Sequence, residues 1–457
     1  MNDKQPNSIA RFFKAAAVIE AQELRAVVIS ILFFFFLFGS YSVIKPVRDA
    51  MGTVYGVDHL QELFTGTFIA SLLFAPLYSW FAARLKLSSF LPWVYGFIAV
   101  SIVGFYALFT GFGEDKDRWV AAAFYIWVST FNILIISVFW TFMADIFSRT
   151  QAKRLFGFVA AGGSIGGVVG PLVATSFVKS VGNGGLMLMA AAGFVVTALL
   201  VRVLAREKPR LMAAMGGEAQ TTSLEHRLGG SAIDGFRLLL RSPYLLLLAA
   251  FLLLMTWIST VVYFQLGELI RSAFTDRDAR TQAYANIDLA VNSGAVLVQL
   301  FGTGRIIKRF GVGTGLLLNP VLMVIAFVAV VFSPVLLVLG GIQIVRRIAE
   351  YAVAKPTREM LFTVVDQDSR YKAKNVIDTV VYRFGDLTSA WVSSAILPYG
   401  VAGLAVFGGI VSIVWFRIAW LLGRRYENVK AGETVDARSP SAGRARIQAG
   451  KESLKDA

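Results

Sequence analysis

Apolar runs long enough to cross a bilayer recur along the whole chain, and they leave it few possible folds. The first extends from Ala26 to Ile44, and about 20 apolar residues cross a bilayer as a helix. Twelve spans are predicted, at 26–46, 61–83, 90–111, 119–144, 155–179, 185–204, 244–270, 282–304, 313–332, 335–354, 374–397 and 401–422. The block 313–354 is one apolar stretch, divided at Ser333-Pro334. Composition agrees: 56% of residues are hydrophobic and 16% charged, with a mean hydropathy of +0.65, whereas soluble domains carry more charge. The 41 glycines suit close helix contacts in lipid. No small-residue cleavage site follows the first run, which therefore reads as a span and not a signal peptide. The expected fold is an all-α integral membrane protein with twelve transmembrane helices.

Charge gives the orientation. Lys and Arg total 44 against 29 Asp and Glu, a net charge of +15. In a soluble chain this excess would point to nucleic acid; in a membrane protein basic residues collect in cytoplasmic loops, so no nucleic-acid partner is expected. With both ends on one side, basic residues on that side outnumber those opposite by about four to one. Both termini are therefore placed in the cytoplasm. The chain has no cysteine, which excludes disulfides and thiolate chemistry. Its two histidines, His59 and His226, are too few for a histidine-based metal cluster. No G-x-x-x-x-G-K-[ST] sequence occurs, so Walker-type ATP hydrolysis is excluded. No cofactor, metal or catalytic residue is expected.

The organisation predicted is an amphipathic N-terminal segment (1–25), a six-helix half (26–204), a cytoplasmic linker (205–243), a second six-helix half (244–426) and a low-complexity, disordered tail (427–457). The linker ends in a short helix capped by Ser231 and Asp234, with Ile233, Phe236 and Leu240 on one face. A repeat marks the two halves. Asp145-Ile-Phe-Ser148-Arg149-Thr-Gln-Ala152-Lys153 returns as Asp366-Gln-Asp-Ser369-Arg370-Tyr-Lys-Ala373-Lys374. Each copy, D-x-x-S-R-x-x-A-K, lies in a short polar gap between two apolar runs. Duplicated hydrophobic units of this kind build membrane carriers. Asp145, Arg149 and Lys153, like Asp366, Arg370 and Lys374, can form ion pairs across helix ends that hold the inner side shut in one state. Positive-inside anchoring is the plainer alternative.

Gly162-Gly163-Ser-Ile-Gly166-Gly167-Val-Val-Gly170-Pro171 contains overlapping G-x-x-x-G steps inside a span and reads as a packing surface, one that would let two halves approach and slide. Charges inside spans are the sharpest signal, since each costs about 2.5–3.5 kcal/mol at mid-membrane. Span ten holds Arg346, Arg347 and Glu350; span eleven holds Asp378, Arg383 and Asp386. They form neutral pairs tying helices together, or they line a watered cavity in which the arginines face an anion. Arginine favours bidentate phosphate or carboxylate binding. Arg346, Arg347 and Arg383 face Glu350, Asp378, Asp386 and Asp288, which is no cationic pocket by itself. Help is needed from span ends: Lys45 and Arg48 after span one, Lys355 and Arg358 after span ten. Spare carboxylates (Asp288, Glu350, Asp386 and, near the span-ten end, Glu359) would balance charge or carry protons. Asp288, Asn292 and Gln299 share a stripe of span eight, and Tyr125, Ser129, Asn132 and Trp140 one of span four. Such stripes suit a flat, partly polar substrate or simply pack helices. Gln265 and Glu268 in span seven read as gate or rim residues.

Two six-helix halves, a long central loop and the Gly166-to-Pro171 sequence resemble the major facilitator superfamily. Gly302-Thr-Gly-Arg-Ile-Ile-Lys-Arg-Phe-Gly311 is similar to a loop motif of that superfamily without its usual Asp. A narrower resemblance is to the ATP/ADP translocase family, the nucleotide exchangers of plastids and intracellular bacteria. It rests on Lys45-Pro-Val-Arg-Asp49, on Phe139 to Lys153, and on Lys355-Pro-Thr-Arg-Glu-Met360 leading into Asp366 through Asp378. The resemblance implies roles in nucleotide transport for Lys45, Arg48, Lys355, Arg358 and Glu359.

The expectation is a monomeric alternating-access carrier of a bacterial inner membrane, not an enzyme, moving a small organic anion. Arg346, Arg347 and Arg383 would bind it, supported by Lys45, Arg48, Lys355 and Arg358. Nucleotide exchange is what the family resemblance implies. The alternatives are a proton-coupled carrier of another small metabolite or drug, and a lipid flippase of the same fold.

Overall fold

The computed structural model describes residues 19–20, 22–84, 87–111, 114–214, 232–365, 373–374 and 376–430. Among them every regular element is helical. The helices are α1 (Leu24–Tyr55), α2 (Leu60–Arg84), α3 (Leu87–Gly111), α4 (Glu114–Ile146), α5 (Arg149–Ala214), α6 (Ala232–Arg241), α7 (Pro243–Ala273), α8 (Arg277–Phe301), α9 (Thr303–Phe332), α10 (Leu336–Ala349), α11 (Lys355–Leu361), α12 (Tyr382–Ile396) and α13 (Gly400–Lys430). Two π-helical turns, Glu350–Ala354 and Val376–Val381, join α10 to α11 and lead into α12. Among the described residues, seven helical stretches are long and apolar enough to cross a membrane. The expected N-terminal amphipathic segment lies mostly outside the described residues, as do Ser231, Asp366, Arg370, the Arg149 side chain and the tail beyond Lys430. The short linker helix is present as α6.

Glycine decides where the long helices turn. α5 carries Gly182 at φ 66°, in the gap foreseen between 179 and 185, so one apolar stretch bends there. Gly400, at φ 74°, separates α12 from α13 in the same way. A side chain would be strained in this left-handed region. α1 runs on to Tyr55, nine residues past its predicted end at position 46, with Pro46 inside it and Gly56 at φ 126° as its cap. Lys45 and Arg48 therefore sit within a helix, not after one. The flanking residues Val43, Ile44, Val47, Ala50 and Met51 are buried apolar groups that extend the packed face.

The chain divides into two compact units, Met1–His226 with Ile270–Ser293, and Arg227–Leu269 with Gly294–Ala457. In the first, α1 packs along α5. A Cβ on Gly162 would strike the Ile31 carbonyl, one on Gly166 would lie 2.5 Å from the Phe35 carbonyl, and one on Gly170 would lie 2.7 Å from that of Gly39. The glycine run is thus a packing surface, as predicted, spent on a crossing inside one unit. Phe34 stacks on Phe139 at 4.2 Å beside it, with Phe33 edge-on to Phe139 at 4.9 Å. In the second unit α9 lies against α13, where a Cβ on Gly423 would come 3.0 Å from Gly313 Cα.

Candidate functional site

Among the described residues, each unit holds a buried cluster of several charges. In the first unit Lys45, Arg48 and Asp49 occupy one turn of α1. Lys45 Nζ lies 2.5 Å from Asp288 on α8 and 3.2 Å from Asp49. Arg48 reaches Asp49 at 2.5 Å, donates to the Ser129 hydroxyl at 3.3 Å and stands 5.2 Å from the centre of the Tyr125 ring. Both carboxylates are almost fully buried, at 2% exposure for Asp49 and 3% for Asp288. The four charges balance, which lets them sit in a low-dielectric interior at tolerable cost. Tyr125 and Ser129 of the predicted span-four stripe face this cluster, whereas Trp140 packs among Phe34, Phe139 and Phe156. Asn292 donates to the Gly167 carbonyl at 2.6 Å and Gln299 to that of Tyr351 at 3.1 Å, so both serve helix packing.

In the second unit the charges gather where α10 becomes π-helical, a distortion often found at functional sites. Arg346 is 6% exposed. Its guanidinium donates to Gln343 at 2.9 and 3.1 Å, to the Ser259 hydroxyl at 2.7 Å and to Glu350 at 3.0 Å. Arg347 donates to the Tyr351 hydroxyl at 3.0 Å and lies 5.4 Å from that ring's centre. Lys355 Nζ lies 4.3 Å from the same centre and 3.7 Å from Glu350. Arg383 pairs with Asp386 at 3.7 Å. Tyr382 is within electrostatic reach of Asp386, Glu350, Arg383 and Tyr351, joining the two groups. Asp378, weighed against these arginines in the sequence, lies 3.5 Å from Arg358. Arg346, Arg347, Lys355 and Arg383 thus gather with Glu350 and Asp386 around Tyr351 and Tyr382.

Two of the described repeat residues have ion partners. Asp145 binds Lys208 near the end of α5 at 2.8 Å, and Lys374 binds Glu359. Lys153 is exposed. Glu359 also meets Arg358 at 3.2 Å. Burial raises the Glu359 carboxyl, but Lys374 and Arg358 outweigh it and hold the group below its usual range. Beside the first copy, buried Glu23 accepts from Gln151 at 2.9 Å and Arg154 at 2.8 Å. Gln265 is also buried and donates to the Val401 carbonyl at 2.8 Å, so it is no rim residue.

Sequence reasoning passed over Asp49, Gln343, Ser259, Tyr351 and Lys208. Three were within reach: Asp49 is i+4 from Lys45, Tyr351 i+4 from Arg347 and Gln343 i−3 from Arg346, the spacings at which helix side chains meet. Ser259 and Lys208 come from distant segments and carry no local signal.

Comparison with known proteins gives a consistent answer. The profile described as Major Facilitator Superfamily matches residues 27–353, and that described as TLC ATP/ADP transporter matches residues 326–425. ADP,ATP carrier protein 1 of Chlamydia trachomatis is 25% identical over 376 residues, covering 73% of this chain and 70% of that one. Its namesake from Chlamydia muridarum is 26% identical, covering 63% and 61%. ADP,ATP carrier protein 3 of Rickettsia conorii is 21% identical, covering 68% and 69%. The chain spans about two thirds of the length of these relatives. Among solved structures, a bacterial homologue of the human lysosomal transporter Spinster aligns with a TM-score of 0.61 at 14% identity, covering 90% of this chain and 99% of that one. The nucleoside transporter NupG aligns at 0.58 and 14% identity, covering 91% and 100%.

Proposed function

Because this chain belongs to the major facilitator superfamily, we propose that it is an alternating-access exchanger of adenine nucleotides, ATP against ADP, that makes and breaks no covalent bond. The observation that carries this reading is the gathering of Arg347 and Lys355 against the Tyr351 ring. It falls inside the stretch that matches the TLC ATP/ADP transporter profile, and the relatives just described are named ADP,ATP carriers.

In this reading Arg347 and Lys355 are the groups that take substrate phosphate. Both lie against the Tyr351 ring, which orients a cation without neutralising it. Arg346 positions them, because its guanidinium is occupied by Gln343, Ser259 and Glu350. Lys45 and Arg48 offer a second cationic station, held in place by Asp49. Glu350, Asp386 and Asp288 balance charge when substrate is absent. Glu359, Arg358 and Lys374 form a pairing network that, with Asp145 and Lys208, stabilises helix ends; Arg149, Lys153, Asp366 and Arg370 remain gate candidates.

We place the protein in a bacterial inner membrane with twelve crossings, two six-helix halves and both termini in the cytoplasm. Two features support the count. The apolar stretches Thr150–Pro209 and Val376–Lys430 are 60 and 55 residues long, each enough to cross twice, since a bilayer core of about 30 Å needs about 20 helical residues. Each also bends at a positive-φ glycine, Gly182 and Gly400.

The substrate class is tested by competition. Liposomes holding the purified protein and unlabelled ADP are given labelled ATP together with excess ADP, adenosine or inorganic phosphate. Uptake is expected to be blocked by ADP and untouched by adenosine, which has no phosphate for Arg347 and Lys355. Inhibition by adenosine as strong as by ADP would rule out a phosphate-centred site.

A further inference from the structure

Residues 282–292 of α8 are fastened to α1 and α5 by contacts of two chemical kinds. The neutral kind comprises Gln282 Nε2 donating to the Thr175 carbonyl at 3.1 Å, the Thr175 hydroxyl donating to Asn286 Oδ1, and Asn292 Nδ2 donating to the Gly167 carbonyl at 2.6 Å. The ionic kind is Lys45 to Asp288, at 2.5 Å between residues 243 positions apart. A phosphate oxygen competes with a carboxylate for an ammonium, and it has no such leverage over a neutral amide-to-carbonyl bond. Asp49 differs from Asp288 in one respect that matters. It lies on α1 itself, one turn from Lys45 and next to Arg48, so it stays with both cations whatever α8 does.

We propose that Asp288 is the coupling residue that makes transport an obligatory exchange. With no anion bound, Lys45 holds α8 to α1 through Asp288, and the empty carrier is locked against reorientation. A substrate phosphate on Lys45 and Arg48 takes the place of the Asp288 carboxylate, and the lock opens. Asp49 keeps the two cations presented throughout. The empty carrier cannot return, so each outward passage of nucleotide requires an inward one. The inference rests on the nucleotide-exchange reading and assigns its stoichiometric coupling to one carboxylate. A merely structural ion pair predicts something different: its loss would lower every flux in parallel.

The test compares two fluxes from liposomes loaded with labelled ADP, one into nucleotide-free medium and one into medium containing ADP. The unsubstituted protein is expected to release label only against external ADP. Asp288→Asn is expected to release label into empty medium as well, reducing the exchange-to-efflux ratio by a factor in the usual coupling range of about 5–150. Asp288→Glu restores the ratio. A second measurement needs no change at Asp288. The chain has no cysteine, so Ala283→Cys supplies one thiol on α8, whose maleimide labelling should accelerate with ADP and not with adenosine. An unchanged ratio in Asp288→Asn, with fluxes full or lowered in parallel, overturns the proposal while leaving nucleotide exchange intact. So does labelling of Ala283→Cys that ignores ADP. Failure of the unsubstituted protein to move nucleotide in either medium overturns both readings.

Discussion

Two adjacent arginines on α10 have been given opposite duties by their surroundings. Arg346 is buried and its fork is filled by Gln343, Ser259 and Glu350, whereas Arg347 lies against Tyr351. Arg346→Ala takes from Gln343 its donor and leaves Glu350 with the longer Lys355 contact at 3.7 Å; breaking a buried pair costs at most about 3–5 kcal/mol, and a fall in unfolding temperature in detergent is expected. Arg346→Lys should not restore it, because one ammonium cannot reproduce the fork. Arg347→Ala is expected to keep the unfolding temperature close to that of the unsubstituted protein while raising KM for ATP. Equal destabilisation by the two alanines would refute the division. Glu359 gives a pH prediction. Its carboxyl is held below the ordinary value of 4.5 by Lys374 and Arg358 against the opposing effect of burial. A carboxylate with a lowered folded-state value contributes fully above its unfolded value, and that contribution fades as the pH falls through the lowered one. Glu359→Gln should therefore cost stability at neutral pH and show a smaller further loss on acidification than the unsubstituted protein, read from unfolding temperatures across an acid series.

Helix crossings give the cleanest contrasts at the next scale. Gly166→Ala would put a methyl group 2.5 Å from the Phe35 carbonyl and 2.9 Å from the Gly39 nitrogen, both backbone atoms that cannot step aside. Forcing α1 and α5 apart should cost about 1–3 kcal/mol, the usual range for overpacking. Gly157→Ala, on the same helix with nothing within 4 Å, should be neutral, and the unfolding temperatures of the pair decide the matter. Elements were largely legible in the sequence because long apolar runs state their own length, and α2, α3, α4 and α7 begin and end within a few residues of the predicted spans. Gly182 and Gly400 fall in predicted gaps. The end of α1 was misread because Lys45 and Arg48 looked like a membrane boundary. Asp49 and Asp288 satisfy those charges inside the protein, and such a partner 243 positions away leaves no trace in a local hydropathy pattern. The π-helical turns at Glu350 and Val376 were equally invisible, since a one-residue change of helical hydrogen bonding leaves no mark in a hydropathy pattern.

For the whole molecule, the sequence supplied the class and the family resemblance, and the structure redistributed the charges. Asp288 pairs with Lys45 and Asp378 with Arg358, while Arg346, Arg347, Lys355 and Arg383 gather with Glu350 and Asp386 around Tyr351. An exchanger needs a site that welcomes phosphate and an empty state that does not return alone. The measurement that bears most directly on this account is uptake of labelled ATP into liposomes carrying the purified protein, with ADP inside or without it, and with or without an imposed pH gradient. The account predicts uptake that requires internal ADP and is indifferent to the gradient. Uptake into liposomes empty of nucleotide, driven by the pH gradient, would contradict it.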